Sequence, residues 1–523
     1  MQGGRRPLPT LSGSHPPPAK TCERLQVGVI GAGMAGLYAA MLIKSLGIDF
    51  EELEAAEAPG GRVRTHHFSE EEWDYVDLGA MRVPKIPIMD RVVGNVPWSL
   101  TNKLPGIKLG DYYESDGHGI TMYNGFRVVG EIDWKADPFH FSTSKGGNVP
   151  DKFVHEGPDH WLTKVIQEYL DALSKNFESG FRKLMSIDSM TGRQLLLDDR
   201  APAASRTRIV IDNLDLGPGN EDKYCLIEGG TAKLTDAMVA EIAAGHGPCV
   251  QTEHEVRRLT PSGQGVVVSG VARDDDDFCV EFSKRYTHVI TTVTNHAFRL
   301  MDTTDCNLSL AKRTAQRCLT YDHSTNVALK FKTRFWARGA APIHGGTSTT
   351  DLPIRQVVYP SYGSEWDTGV LIVSYTWADD ADWMGSLALS DKTRAIELCV
   401  ANLAECGQEP HGRAGRLDRH GLGGREARAG RLDTPCSRRA SFSSMIADLI
   451  SAEVDGRLLF ACEATSVHHA WIVGSLNSAY RAVRGRNPVP RGARRKAHRA
   501  AQPVGLVRRV RRGARRQPPR ACT

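Results

Sequence analysis

An α/β fold built on a Rossmann-like parallel sheet is what this sequence predicts, and three stretches predict it. Near the start, the apolar run Val27–Ile30 stops abruptly at Gly31, as a buried parallel strand should before a phosphate-binding turn. Met34–Leu46 reads as the helix that follows, and after Gly47 the stretch IDFEELEA reads as a second strand ending at Glu54. Far along the chain Asp455–Val483 repeats the pattern, with LLFA as a buried strand, CEATS as a turn and AWIVGSLNSAYRAV as a helix.

The first of these stretches has the makings of a dinucleotide cradle. Gly31 permits the tight turn, Gly33 lets a pyrophosphate approach the backbone, and Gly36 lets the helix pack closely on its strand. The helix opening at Met34 and Ala35 aims its first amides at the phosphates. Glu54, followed by Ala55, lies about twenty residues beyond the glycines, where an acid accepts hydrogen bonds from ribose hydroxyls. A lone glycine fingerprint also fits an ordinary strand-turn-helix; strand, helix and acid together favour the cradle. Gly60, Gly61 and Arg62 then offer two positions without side chains and a guanidinium suited to a second approach to a pyrophosphate.

These residues resemble the flavin amine oxidase family, whose FAD site carries the GGR sequence shortly after the ribose acid, and DLGAMRVP at Asp77–Pro84 is similar to the L-amino acid oxidase branch. The resemblance covers about residues 25–405 and 442–484. It implies an FAD-binding Rossmann-like domain of the glutathione-reductase type, made discontinuously from 25–90, 222–300 and 455–484. A sheet-based substrate domain would take 91–149 and 301–454, and a helical subdomain 150–221. FAD would meet Gly79, Ala80, Met81 and Arg82, the backbone of Val256 at the adenine, Cys462 and Glu463 at the ribityl or pyrophosphate part, and the backbone around Trp471 and Ile472 at the isoalloxazine O2. Arg82 would clamp a substrate carboxylate, Tyr375 would add its hydroxyl, the Ala470 carbonyl would take the amine, and Trp471 would wall the pocket.

Two departures from the family pattern bear on turnover. Asn326 stands where the family has a lysine that holds a water near the flavin N5; the expectation is slower reoxidation or a tolerated variant. Cys462 replaces a glycine, which would cost binding if the position needed a positive φ or a close cofactor approach. The implied activity is FAD-dependent oxidative deamination of L-amino acids to 2-oxo acids, ammonia and hydrogen peroxide. A monoamine or polyamine oxidase of the same family is the alternative, and the arginine of GAMR and tyrosine of SYTW argue against it. A catalytically impaired flavin-binding relative is a further alternative, supported by Asn326, Cys462 and an unrecognisable pocket loop.

Taken in order, the rest of the chain adds detail. The prolines at 87, 97 and 105 break any long element, and Asn124-Gly125 inside ITMYNGFRVVG marks a hairpin. From Asp159, apolar residues at Leu162, Ile166, Tyr169, Leu173, Phe177, Phe181 and Leu184 recur at helical spacing and read as a core stripe. Cys225–Ile242 reads as strand, glycine turn and helix; Val256, GVVVSGVA and YTHVITT as strands. Tyr321–Trp336 and the stretches GGTSTTDLPIRQVVYPSYG and GVLIVSYTWADDADWMG alternate like sheet strands, and Lys392–Glu405 reads as a helix.

Composition bounds the remainder. With 523 residues, 41% hydrophobic and 24% charged, the chain is of soluble globular type and long enough for roughly three domains. No run of eighteen apolar residues indicates a membrane span, and residues 1–24 read as a disordered leader rather than a secretory signal. Eleven scattered cysteines fit reduced thiols in the cytoplasm, and His468-His469 lacks a third ligand at metal spacing, so no metal is expected. The net charge of +5 hides two basic segments: Arg481 to the end contributes +15 and 411–440 another +5, leaving an acidic body of −15. Residues 406–441 are anomalously Arg-rich, and 485–523 form a basic tail without aromatic residues, which disfavours nucleic-acid binding except electrostatically through that tail. Both segments carry the Arg, Gly, Ala and Pro bias of GC-rich DNA translated out of frame, which sequencing the transcript would decide. The expected partners are a small-molecule amino acid and molecular oxygen, with a homodimer allowed.

Overall fold

In a computed structural model of the chain, the structure describes residues 24–183, 224–408, 431–433 and 442–485, apart from short breaks at 86–88, 95–98, 177–178, 181, 246–248, 275–277, 339, 368, 467 and 469. The expected leader, most of the Arg-rich segment, the basic tail, His469 and much of the helical subdomain lie outside the described residues.

Strand β1, Gln26–Ile30, is the middle of a five-stranded sheet whose order is Val250–Gln251, Asp49–Leu53, β1, His288–Thr291 and Leu458–Phe460. All its pairings are parallel. Such a sheet needs cover on both faces, and its central strands β1 and His288–Thr291 are buried almost throughout rather than at alternate positions. Helices Met34–Ser45, Ala232–Ala243 and Ile472–Arg484 share one core with it. An antiparallel sheet of His254–Ser262, Gly265–Arg273 and Cys279–Tyr286 shares another. Gly28 is needed at that second contact, since a Cβ there would come within 2.6 Å of the Tyr286 ring.

A six-stranded sheet follows the order Ser324–Phe331, Gly369–Trp377, Gln356–Val358, Thr347–Thr350, Ile120–Tyr123 and Phe126–Val129. Its last two strands are the expected hairpin, and Asn124 and Gly125 at φ 53° and 78° take the left-handed pair that such a two-residue turn requires. Helices Ala378–Ser390 and Lys392–Glu405 pack against this sheet. Reading ADDADWMG as a continuation of the strand is corrected here: the strand stops at Trp377 and a helix begins. Asp379 and Asp380 in its first turn suit the positive end of the helix dipole, a local signal stronger than the short alternation.

Between the two large sheets run the ribbon Thr65–His67 with Tyr75–Asp77 and a small sheet of Val83–Pro84, Tyr224–Ile227 and Leu109–Tyr112. Of the expected helical subdomain the structure shows helices Asp151–Glu156 and Pro158–Lys175, the second opened by a proline at its first turn, with Tyr169 and Leu173 buried as the stripe required.

Candidate active site

The glycine turn after β1 adopts the conformation its residues allow. Gly31 has φ +97°, and a Cβ on Gly36 would collide with the Gly31 carbonyl. The following helix starts at Gly33 with no side-chain cap and no acid in its first turn, so no side chain competes for its leading amides. Gly33 bridges Gly60, whose N–H donates to the Ala32 carbonyl at 2.8 Å, so the GGR loop lies directly against the first glycine turn. Gly60 and Gly61 have φ of +116° and +59°, which a side chain would resist.

Glu54 follows Leu53 beside this turn and accepts from the Ala32 N–H at 2.6 Å and the Ala56 N–H at 2.9 Å. Ala55 lies between Glu54 and Ala56. Val256 is buried with Ile30 and Leu53, beside a bulge at Arg257.

Arg62 closes the cradle across the fold. Its Nη1 donates to Glu463 Oε2 at 2.9 Å, while Glu463 Oε1 accepts from the Ala470 N–H at 2.8 Å. A strand-to-helix turn from the far end of the chain is thereby fastened to the first loop. Gly79 passes so close to the Arg62 carbonyl that a Cβ would collide with it, and the Ala80 N–H donates to that carbonyl at 3.3 Å. Cys462 does not carry the strain feared for a residue in place of glycine: its φ of −166° is extended backbone, and its N–H donates to Thr465 Oγ1 at 3.1 Å. Burial pushes its thiol pKa up.

Arg82 stands where this cradle meets the small sheet. Tyr112 and Tyr224 are paired across two strands, and the guanidinium lies 5.5 and 5.6 Å from their ring centroids. Its Nη1 is 3.4 Å from the Tyr112 hydroxyl and its Nε 3.1 Å from Glu114 Oε1. Burial alone would lower its pKa, but Tyr112 and Glu114 raise it further, so Arg82 is cationic throughout. Trp471, the residue capping helix Ile472–Arg484, packs with Met81 against the cluster of Tyr112, Tyr224 and Leu226.

Tyr375 and Asn326 are direct cross-strand partners in the six-stranded sheet and so face the same way. Tyr375, like Met81, packs against the cluster of Val76, Leu78, Ala328 and Ile372 and is close enough to influence the Arg82 charge. Asn326 donates from Nδ2 to the Leu78 carbonyl at 3.1 Å, and its buried Oδ1 has no partner. Ala470 holds φ 64°, a left-handed conformation unusual for alanine, and Ile472 is buried behind Trp471.

Comparison with known proteins decides the family. Residues 159–485 match the model of flavin containing amine oxidoreductases, and 29–86 match that of an NAD(P)-binding Rossmann-like domain. The chain belongs to the flavin containing amine oxidoreductase family. A Dictyostelium discoideum protein provisionally named a bifunctional amine oxidase is 36% identical, the alignment covering 88% of this chain and 46% of that protein. The chain thus spans about half the length of that relative. L-amino-acid oxidase 4 of Hebeloma cylindrosporum is 29% identical over 88% of this chain and 81% of its own. A flavin-dependent L-tryptophan oxidase of Lentzea aerocolonigenes is 29% identical over 88% and 97%. A solved putrescine oxidase superposes with a TM-score of 0.62 at 18% identity, covering 88% of this chain and 98% of its own, and shows the shared fold.

As a member of that family this amine oxidoreductase is a flavin-dependent enzyme. The residues present fit the cofactor: an uncapped helix start, a glycine at 33 where an added Cβ would meet nothing nearer than the Gly60 carbonyl at 4.0 Å, and a part-buried Arg62–Glu463 pair joining both halves of the cradle. No helix among the described residues is long and apolar enough to cross a membrane.

Four residues of this region carried no signal in the sequence. Tyr112, Tyr224 and Glu114 surround Arg82 only because separate strands pair. Glu52 is fully buried on the strand leading to Glu54, with neither carboxylate oxygen partnered, and burial together with the Glu54 charge pushes its pKa well up.

Proposed function

We propose that this amine oxidoreductase oxidises L-amino acids to 2-oxo acids with release of ammonia and hydrogen peroxide. The observation that carries the reading is Arg82, an always-charged guanidinium held between two tyrosine rings at the mouth of the FAD cradle, with Tyr375 and Trp471 on its flanks. A simple amine gives such a group nothing to bind.

In this reading Arg82 takes the α-carboxylate in a charge-assisted pair and Tyr375 adds a hydroxyl. The Ala470 carbonyl receives the amine, its peptide held by the N–H bond to Glu463 and by the left-handed backbone. Trp471 walls the site and excludes water. Bound FAD supplies the chemistry by accepting hydride from the α-carbon and passing the electrons to oxygen. The protein's part is orientation, so no side-chain nucleophile is required. The imino acid that leaves is hydrolysed to the 2-oxo acid and ammonia. Asn326, neutral where the family's lysine is charged, is read either as slowing reoxidation or as a tolerated variant.

FAD is assigned to Gly31, Gly33, Met34, Ala35, Gly36, Glu54, Ala55, Gly60, Gly61, Arg62, Gly79, Ala80, Met81, Arg82, Val256, Cys462, Glu463, Trp471 and Ile472. The domain division drawn from the resemblance, and a cytoplasmic setting, belong to the same proposal; the free thiols among the described cysteines support the latter. The test is anaerobic mixing of the FAD-loaded protein with a panel of L-amino acids and of simple amines. Bleaching of the flavin by amino acids supports the reading, and bleaching by amines alone replaces it with an amine oxidase.

A further inference from the structure

We propose that Glu114 is the resident counter-ion of the Arg82 clamp, a latch that an incoming carboxylate must displace; this deepens the amino-acid reading and rests on it. The Glu114 carboxylate lies 3.1 Å from Arg82 Nε, and its charge adds to burial in raising the pKa of the nearby Tyr224 hydroxyl. One edge of the guanidinium is therefore already neutralised before any substrate arrives.

Glu114 is not needed to place the arginine. The rings of Tyr112 and Tyr224 and the Tyr112 hydroxyl already fix the guanidinium. Its effect is on charge: a substrate carboxylate reaching the same cation meets a like charge a few ångströms away. The side chain can leave, because 44% of it is exposed and an ion pair so open to water holds weakly. The backbone behind it stays put, packed so closely on Gly346 that a Cβ there would lie 2.9 Å from the Glu114 carbonyl oxygen. Displacement is thus a side-chain rotation into solvent. An amine without a carboxylate has no reason to displace the latch, so Glu114 sets how strongly the site favours amino acids over amines.

The test uses the FAD-loaded full chain and Glu114→Gln, which keeps the shape and removes the charge. KM for neutral L-amino acids should fall about fivefold, the scale of an exposed ion pair, and the Kd for benzoate, read from the flavin absorbance, should fall by a like factor. Arg82→Met in the Glu114→Gln background should abolish both gains, and KM for simple amines should not follow. Unchanged or weaker benzoate and amino-acid binding in Glu114→Gln overturns the latch, weaker binding showing instead that Glu114 positions the arginine. If the wild type bleaches with amines alone, the amino-acid reading fails while the benzoate titration still decides the latch. Should Glu114→Gln lose its flavin, Glu114→Ala replaces it in the same titration.

Discussion

Arg82 concentrates the functional claim in one side chain. Replacing it with Met keeps the length and removes the charge, and a charge-assisted pair to a carboxylate is worth about 2–3 kcal/mol. We expect Arg82→Met to lower kcat/KM for L-amino acids by about 100-fold and to leave amines nearly untouched, measured as peroxide release. Equal loss for both classes would show that Arg82 does not clamp a carboxylate. Glu52 makes a different point at the same scale. Opposite Val29 in the central sheet, it is a wholly buried carboxyl without a partner, packed so closely on Gly36 that a Cβ there would come within 2.6 Å of Glu52 Oε1. Burying such a group costs about 2 kcal/mol. Glu52→Val should therefore raise the melting temperature, and a fall would mean that the carboxyl has a partner in solution.

Among the elements, helix Ile472–Arg484 holds the two halves of the cradle together. It packs on helix Met34–Ser45, and its Arg481 donates to the carbonyls of Thr465 and Phe460 at 2.6 and 3.3 Å and to Thr465 Oγ1 at 2.8 Å. Counted by sequence with the basic tail, Arg481 is instead a half-buried tie between the helix, the strand Leu458–Phe460 and the turn bearing Glu463. Losing those bonds leaves two carbonyls short of a donor at about 1–3 kcal/mol each. Purified Arg481→Met should carry markedly less flavin per chain than wild type, by absorbance ratio. Full flavin content would show that the turn holds its shape alone. The same scale shows why local reading succeeded for Met34–Ser45 and Lys392–Glu405 and failed at Ala378. Those two helices lie within one unbroken pattern, whereas the strand Gly369–Trp377 runs into its helix with no glycine or proline between them.

For the whole molecule, buried ionisable groups predict a shaped pH profile. Asp77, buried under bonds from Thr65 and Thr231, has its pKa pushed up to about 6 by burial. Its folded value stands above the ordinary 3.8, so its contribution is whole below about pH 4 and is lost as pH rises through 6. The loss is bounded at about 3 kcal/mol by that shift. Lys312 acts oppositely. Burial pulls it down to about 7 from 10.5, so the folded state gains stability as pH rises above 7. Melting temperature should fall from pH 4 to 6 and recover from 7 to 9. Asp77→Asn should make the acid limb shallower, buried Glu52 supplying the rest of it, and Lys312→Met should flatten the alkaline one; limbs unchanged in both variants would refute the assignment.

What the sequence determined by itself was whatever depends on neighbours along the chain. The glycine turn at Gly31–Gly36, the hairpin at Asn124-Gly125 and the parallel strand ending before Glu54 follow from backbone freedom, side-chain volume and periodicity within a few residues. The family resemblance extended this to Arg82, Tyr375, Glu463 and Trp471 as a set. Only the tertiary structure decided the contacts that need distance through space. The Arg62–Glu463 pair joins residues 401 apart. Tyr112 and Tyr224 enclose Arg82 because two strands pair there, Glu114 reaches the guanidinium from the following loop, and the backbone at Cys462 is extended rather than left-handed. Electrostatic partnership and burial are properties of the packed chain, and no local pattern encodes which charge will meet which.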